Sequence, residues 1–104
     1  MDKLTGLLLG PPRVLLNDEV VNLPFKQAEA LLYYLLVAKV VSRDEIAGLL
    51  WPNENDETAK RNLRNAIYQA KKTMGEDIIT SPKKSILVLN EALEIDVDAE
   101  RFLQ

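Results

Sequence analysis

The first quarter of the chain groups its apolar residues in short runs. Leu4 to Leu9 and Arg13 to Leu16 are β-suitable stretches parted by Gly10-Pro11-Pro12, and Asn17-Asp18 turns the chain into Glu19-Val20-Val21. They predict a small antiparallel meander. Pro24 then stands where a first helical turn tolerates it, and Lys26 to Lys39 runs on without Gly or Pro. In this helix Leu31, Leu35 and Ala38 share one face while Leu32, Leu36 and Val37 lie elsewhere. The helix is apolar nearly all round and is expected to be buried on several sides. The absence of heptads argues against a coiled coil.

Ser42-Arg43-Asp44-Glu45 has the capping-box spacing: the Ser42 oxygen accepts from the Glu45 N–H and the Glu45 side chain returns to the Ser42 N–H. A short second helix follows from Arg43 to about Leu50, and Trp51-Pro52 stops it. In the polar connection after it, Asn55 or Asp56 can cap a third helix, predicted over 57–74, with Gly75 as its C-terminal residue. Ile78-Ile79-Thr80 and Ser85 to Leu89 then read as a hairpin, about residues 78–89, whose tip is Ser81-Pro82-Lys83-Lys84. Leu93-Glu94-Ile95 can add a further short pairing. The architecture expected is α+β, with an N-terminal antiparallel sheet, three helices and a C-terminal β-hairpin.

The chain has 104 residues, 47% hydrophobic and 28% charged, enough for one core and too short for two. It has no Cys and no His, which removes thiolate chemistry and the commonest neutral-pH base. No nucleophile, base pair or phosphate-binding Gly loop can be assembled, so an enzyme is not expected. No cofactor is expected either. Glu94, Asp96 and Asp98 lack the spacing and Gly turn of a calcium loop and read as a solvated acidic strand end, and capping and loop solvation account for Asn53 to Glu57, so no metal site is expected. The longest apolar run, Ala30 to Ala38, is well short of the roughly 20 residues that span a bilayer. The expectation is a soluble, cytoplasmic protein with no membrane partner. No apolar stripe is evident outside the core faces, so the free domain is expected to be monomeric.

A net charge of −3 argues against a polyanionic partner until the charges are located. Between Thr58 and Lys84 lie seven cations (Lys60, Arg61, Arg64, Lys71, Lys72, Lys83, Lys84) against Glu76 and Asp77, a net +5 that leaves −8 elsewhere. A basic segment on an acidic body gives the field a direction. In the third helix Ala59, Leu63, Ala66, Ile67, Ala70 and Met74 form one apolar stripe. Opposite it stand Arg61, Asn65, Tyr68 and Lys72, with Thr58 and Gln69 to one side and Arg64 and Lys71 to the other. Arg reads guanine edges, Asn reads adenine, and Lys or Tyr holds phosphate oxygens. An ordinary amphipathic helix would carry some of these cations as a solvated face. The order of elements, however, is that of a winged helix-turn-helix: a buried helix, a short capped helix, a turn, a long basic helix, then a basic-tipped hairpin (the wing).

Leu9-Gly10-Pro11-Pro12, Ala30-Leu31-Leu32-Tyr33-Tyr34-Leu35, Ser42 to Ile46, Leu50-Trp51-Pro52, Asn62-Leu63-Arg64 and Asp96-Val97-Asp98 through Phe102 span nearly the whole chain. Together they resemble the N-terminal DNA-binding domain of the SARP-type bacterial transcriptional activators, relatives of the OmpR/PhoB winged helices. The resemblance implies that the third helix enters the major groove of double-stranded DNA and that the wing, with Lys83 and Lys84, lies on the backbone near the minor groove. It implies head-to-tail binding to direct repeats, and recruitment of RNA polymerase through the loop after the second helix, here Trp51, Asn53, Glu54 and Asn55. It further implies that residues 1–95 are the DNA-binding domain and that 96–104 begin a linker to a helical activator domain, with Gln104 falling inside a longer protein. The family often has a second Leu-Arg pair late in the third helix where this chain has Ala70-Lys71, so base specificity does not transfer. The alternative from the residues alone is a protein-interaction winged helix whose basic face takes an acidic partner.

Overall fold

In the computed structural model, which describes residues 2–98, the N-terminal meander consists of β1 (Lys3–Leu7), β2 (Arg13–Leu16) and β3 (Glu19–Val20). Asn17 and Asp18 both have positive φ, 51° and 70°, the conformation that a two-residue turn between antiparallel strands requires and that Asn and Asp tolerate. The side chain of Asn17 also accepts from the Lys3 N–H at 2.9 Å, which ties the turn to the neighbouring strand. The sequence leads one to expect a purely antiparallel N-terminal sheet, and the structure departs from it in one pairing. Its order is β3-β2-β1-β7, and β7 (Glu94–Val97) runs parallel to β1, with Lys3 opposite Glu94 and Gly6 opposite Val97. A parallel pair needs a long crossover, and here the three helices and the second sheet all lie within it. β7 runs across the boundary expected between residues 95 and 96, while Phe102 and the rest of 99–104 lie outside the described residues.

Helix α1 (Lys26–Ala38) buries Ala28, Leu31, Leu32, Leu35 and Leu36 and packs against α2 (Arg43–Leu50), α3 (Asp56–Met74), β4 (Val40–Ser42), β6 (Ile86–Leu89) and β7. Its burial is wide without being all round. Tyr34 and Val37 are exposed, as is Ala38, because no element among the described residues covers that side of the helix, so apolar residues do remain on the surface outside the core faces. The helix ends at Lys39, whose φ of 69° is a left-handed conformation that a lysine adopts at a cost. Its N–H donates to the Leu35 carbonyl at 3.0 Å, and its Nζ donates to the Leu36 carbonyl at 2.7 Å, so the residue that breaks the helix also caps it.

That single-residue reversal starts β4 (Val40–Ser42), a strand the sequence does not announce. β4 is an outer strand of a second, three-stranded antiparallel sheet of order β4-β6-β5, with β5 at Ile79–Thr80 and β6 at Ile86–Leu89. Val41 and Leu87 face each other in register, and Leu87, Leu89 and Ile79 are buried. α2 (Arg43–Leu50) follows immediately, with Ser42 Oγ accepting from the Glu45 N–H at 3.4 Å. The return bond from Glu45 to Ser42 is not formed, since Glu45 is exposed and its carboxylate stays in water. α3 (Asp56–Met74) then packs on α1 and α2 through Leu63, Ala66, Ile67 and Ala70. The described residues thus make a compact α+β domain of three helices and two small sheets. No helix among them is long and apolar enough to cross a membrane.

Two glycines separate packing from propensity. A Cβ added at Gly6 of β1 would stand 2.9 Å from Leu36 Cδ1, and Leu36 is fully buried with little room to move. Gly48, in the middle of α2, is exposed and has nothing within 4 Å of the added Cβ. Gly6→Ala is expected to destabilise the domain by about 1–2 kcal/mol through overpacking, whereas Gly48→Ala is expected to stabilise it by about 0.5–1 kcal/mol. Urea unfolding of the two variants beside the parent chain measures both signs.

Candidate nucleic-acid interface

The longest helix sets the geometry of the basic surface. Asn55 Oδ1 accepts from the Thr58 N–H at 2.8 Å, Asp56 and Glu57 occupy the first turn, and Lys71 and Lys72 occupy the last. Both ends therefore carry the charge that the helix dipole favours. Ala59, Leu63, Ala66, Ile67, Ala70 and Met74 are all buried, as the spacing predicts, so rotation of α3 about its axis is fixed. The helix begins one residue earlier than expected, at Asp56, because Asn55 rather than Asp56 is the cap.

With that stripe buried, Arg61, Arg64, Asn65, Tyr68 and Lys72 are exposed, and Thr58 and Lys71 are half-buried at the margins of the outward face. Tyr68 is 59% exposed, which is large for an aromatic with no core role. Lys83 and Lys84 are exposed in the turn between β5 and β6, which is closed by the Ile86 N–H donating to the Lys83 carbonyl at 3.0 Å. The structure brings some of these residues together and keeps others apart. Arg64 and Lys84 line one groove of about 650 Å³ between α3, the start of α2 and the β5–β6 turn. Asn65 lies on the other flank, in a smaller depression of about 260 Å³ with Phe25, Gln27, Trp51 and Asn62. Neither depression includes Thr58, Arg61, Tyr68, Lys71, Lys72 or Lys83.

Two cations of the larger groove have no place among the site residues expected from the sequence. Lys60 lies toward the buried stripe on the helical wheel, yet it is exposed and lines the groove, 3.7 Å from Asp44 Oδ1. Arg43 follows the cap of α2. Its backbone N–H donates to the Ser85 carbonyl at 2.9 Å and its Nη2 donates to Ser81 Oγ at 3.0 Å, so it fastens both ends of the β5–β6 turn to the second helix. Its Nε–H is covered and has no acceptor among the described residues. Lys60 could have been found from the excess of cations on 58–84. Arg43 carries no signal in the sequence, since the turn it holds lies about 40 residues downstream.

The loop after α2 divides between structure and surface. Trp51 is half-buried against the core, and Asn55 is committed to the cap. Asn53 and Glu54 are exposed, with the Glu54 N–H donating to the Trp51 carbonyl at 3.2 Å. At the other end of the molecule Asp98 is not a solvated strand end. Its carboxylate accepts from the N–H groups of Leu8 and Leu9 at 2.8 and 3.1 Å, where β1 has ended and its amides have lost their strand partners. Away from the basic face, burial and then the nearby Glu29 carboxylate hold the Tyr33 phenol above its ordinary value of 10.0. Among the described residues no group of three or more acidic side chains is placed to hold a metal ion.

Because Asn55 orders the first turn of the basic helix, Asn55→Ala is expected to cost about 1 kcal/mol, whereas Asn55→Asp keeps most of the stability. Equilibrium urea unfolding reads both. No protein-family model matches the chain, and no curated protein matches it.

Proposed function

We propose that this domain binds double-stranded DNA sequence-specifically as a winged helix-turn-helix, the DNA-reading module of a bacterial transcriptional activator. The observation that carries the reading is the groove that Arg64 of α3 shares with Lys84 of the β5–β6 turn: the basic helix and the basic hairpin present their charge on one side of the molecule. A helix about 10–12 Å across fits a major groove about 12 Å wide. The outward residues of α3 are then aimed at base edges while the hairpin acts as the wing. Arg61, Arg64 and Asn65 are the candidates for base contact, and Thr58, Tyr68, Lys71, Lys72, Lys83 and Lys84 for phosphate contact. On this reading the free domain is a monomer that pairs head to tail on direct repeats, and Asn53 and Glu54, exposed and without a capping duty, are the side chains of the loop offered to RNA polymerase.

The first test is electrostatic. Neutralising about four to six phosphates gives a slope of log K against log salt of roughly −4 to −5 for duplex DNA. A salt-independent titration, or binding only to an acidic protein, sinks the DNA reading.

The second test separates helix from wing. Arg64 and Asn65 are mid-helix, so Arg64→Ala and Asn65→Ala are each expected to cost about 1–3 kcal/mol on the preferred site and to reduce discrimination against random duplex. Lys83 and Lys84 are expected to hold phosphates, so replacing both with Ala weakens all duplexes alike and lowers the salt slope by about 2. Titrations of specific and random duplexes side by side decide it. Loss of discrimination in the wing variant with retention in the helix variants overturns the division of roles.

A further inference from the structure

The groove between α2, α3 and the β5–β6 turn contains a carboxylate where a polyanion-binding surface would be expected to have none. Arg43, Lys60, Arg64 and Lys84 line it, and Asp44 stands among them. Asp44 is paired with Lys60 at 3.7 Å, and the two side chains are 76% and 53% exposed, so the pair is weak, screened and readily exchanged. Arg43 is held the other way. Its backbone N–H and Nη2 are engaged by Ser85 and Ser81, which fixes the guanidinium at the edge of the groove with an Nε–H that no described residue accepts. The helix end itself is not what makes the groove attractive to an anion, since the Arg43 and Glu45 N–H groups are already taken by Ser85 and Ser42. The attraction comes from four cations converging from three elements.

We propose that this groove is the seat of one DNA backbone phosphate, and that Asp44 is its built-in competitor: in the free protein Asp44 holds Lys60, and on binding Lys60 leaves Asp44 for the phosphate. The proposal rests on the DNA-binding reading above and adds to it two residues, Arg43 and Lys60, and an intramolecular restraint on affinity. The physics is a count of like and unlike charges at short range. A carboxylate left beside a bound phosphate repels it within the screening distance, and the Lys60 pair must be given up before the phosphate gains its cation. The restraint acts on the backbone, so it lowers affinity for every sequence equally and leaves discrimination to the outward face of α3.

The experiment is a double-mutant cycle on duplex affinity, with thermal unfolding of each variant confirming the fold. Asp44→Asn is expected to tighten specific and random duplexes alike by about fivefold, the factor that one unit charge at about 4 Å is worth in water. In a Lys60→Gln background the same substitution is expected to give a distinctly smaller gain, because no cation remains to be released. Arg43→Gln is expected to weaken both duplexes without altering their ratio. An unchanged or weaker affinity in Asp44→Asn overturns the proposal. Equal gains with and without Lys60 also overturn it, since they leave only long-range repulsion. The DNA reading fails separately, if the parent chain binds no duplex at low salt. Inorganic phosphate titrated into isotope-labelled protein then decides the seat by itself: resonance shifts centred on Arg43, Lys60 and Lys84 keep it as an oxyanion site, with Arg64 at its margin left to the bases, and their absence removes it.

Discussion

Burial of one wide face of α1 is the constraint on which the rest of the molecule depends. Leu31, Leu32, Leu35 and Leu36 are almost wholly withdrawn from water, each worth about 1.5–3 kcal/mol relative to exposure. One helix can bury that much only if it is met from several directions, by α2 and α3, by the second sheet and by β7. The approach of β1 is close enough that Gly6 has no room for a side chain beside Leu36. Both small sheets are thus organised around the same four leucines, although neither sheet has enough area to form a core alone.

The basic surface is a by-product of that packing. Once the apolar stripe of α3 is committed to the core, the opposite residues have no alternative to solvent, and their direction is as fixed as the core is. The β5–β6 turn is positioned by two separate restraints: β6 is paired to β4, and the turn is fastened to α2 through Arg43. A hairpin held at its base in this way presents its lysines from a defined frame.

Features set by local chemistry were legible in the sequence, and features set by distant pairing were not. Ser42 and Asn55 cap their helices, Gly75 ends α3 and Asn17-Asp18 makes its turn, because each acts on backbone only a few residues away. β4 was hidden because three residues between two helices have no periodicity to display, and its partner lies more than 40 residues later. The parallel partnership of β1 and β7 was equally silent, since nothing in Lys3–Leu7 specifies which strand will lie beside it. Val37 and Ala38 are apolar by sequence yet exposed, because periodicity gives a helix face and cannot say whether a layer exists to cover it. Within the candidate site, the outward residues of α3 followed from the stripe, while Arg43 became visible only when the turn was seen folded back onto α2.

The partnership of β1 and β7 has a bearing on how the domain is made. β1 lies inside its sheet, with β2 on one side and β7 on the other, and Asp98 then closes the amides of Leu8 and Leu9. As the chain is synthesised from its amino end, β1 emerges about 90 residues before its second neighbour, β7. The whole of α1, α2, α3 and the second sheet is born in the interval. Throughout that time one edge of β1 stays open, and open strand edges invite pairing with other chains. Closing the edge joins residues about 90 positions apart, a contact that is slow to form because so much chain must be gathered first. Closing that edge therefore waits until all three helices and the second sheet have been synthesised, and the same pairing holds the two ends of that long crossover side by side.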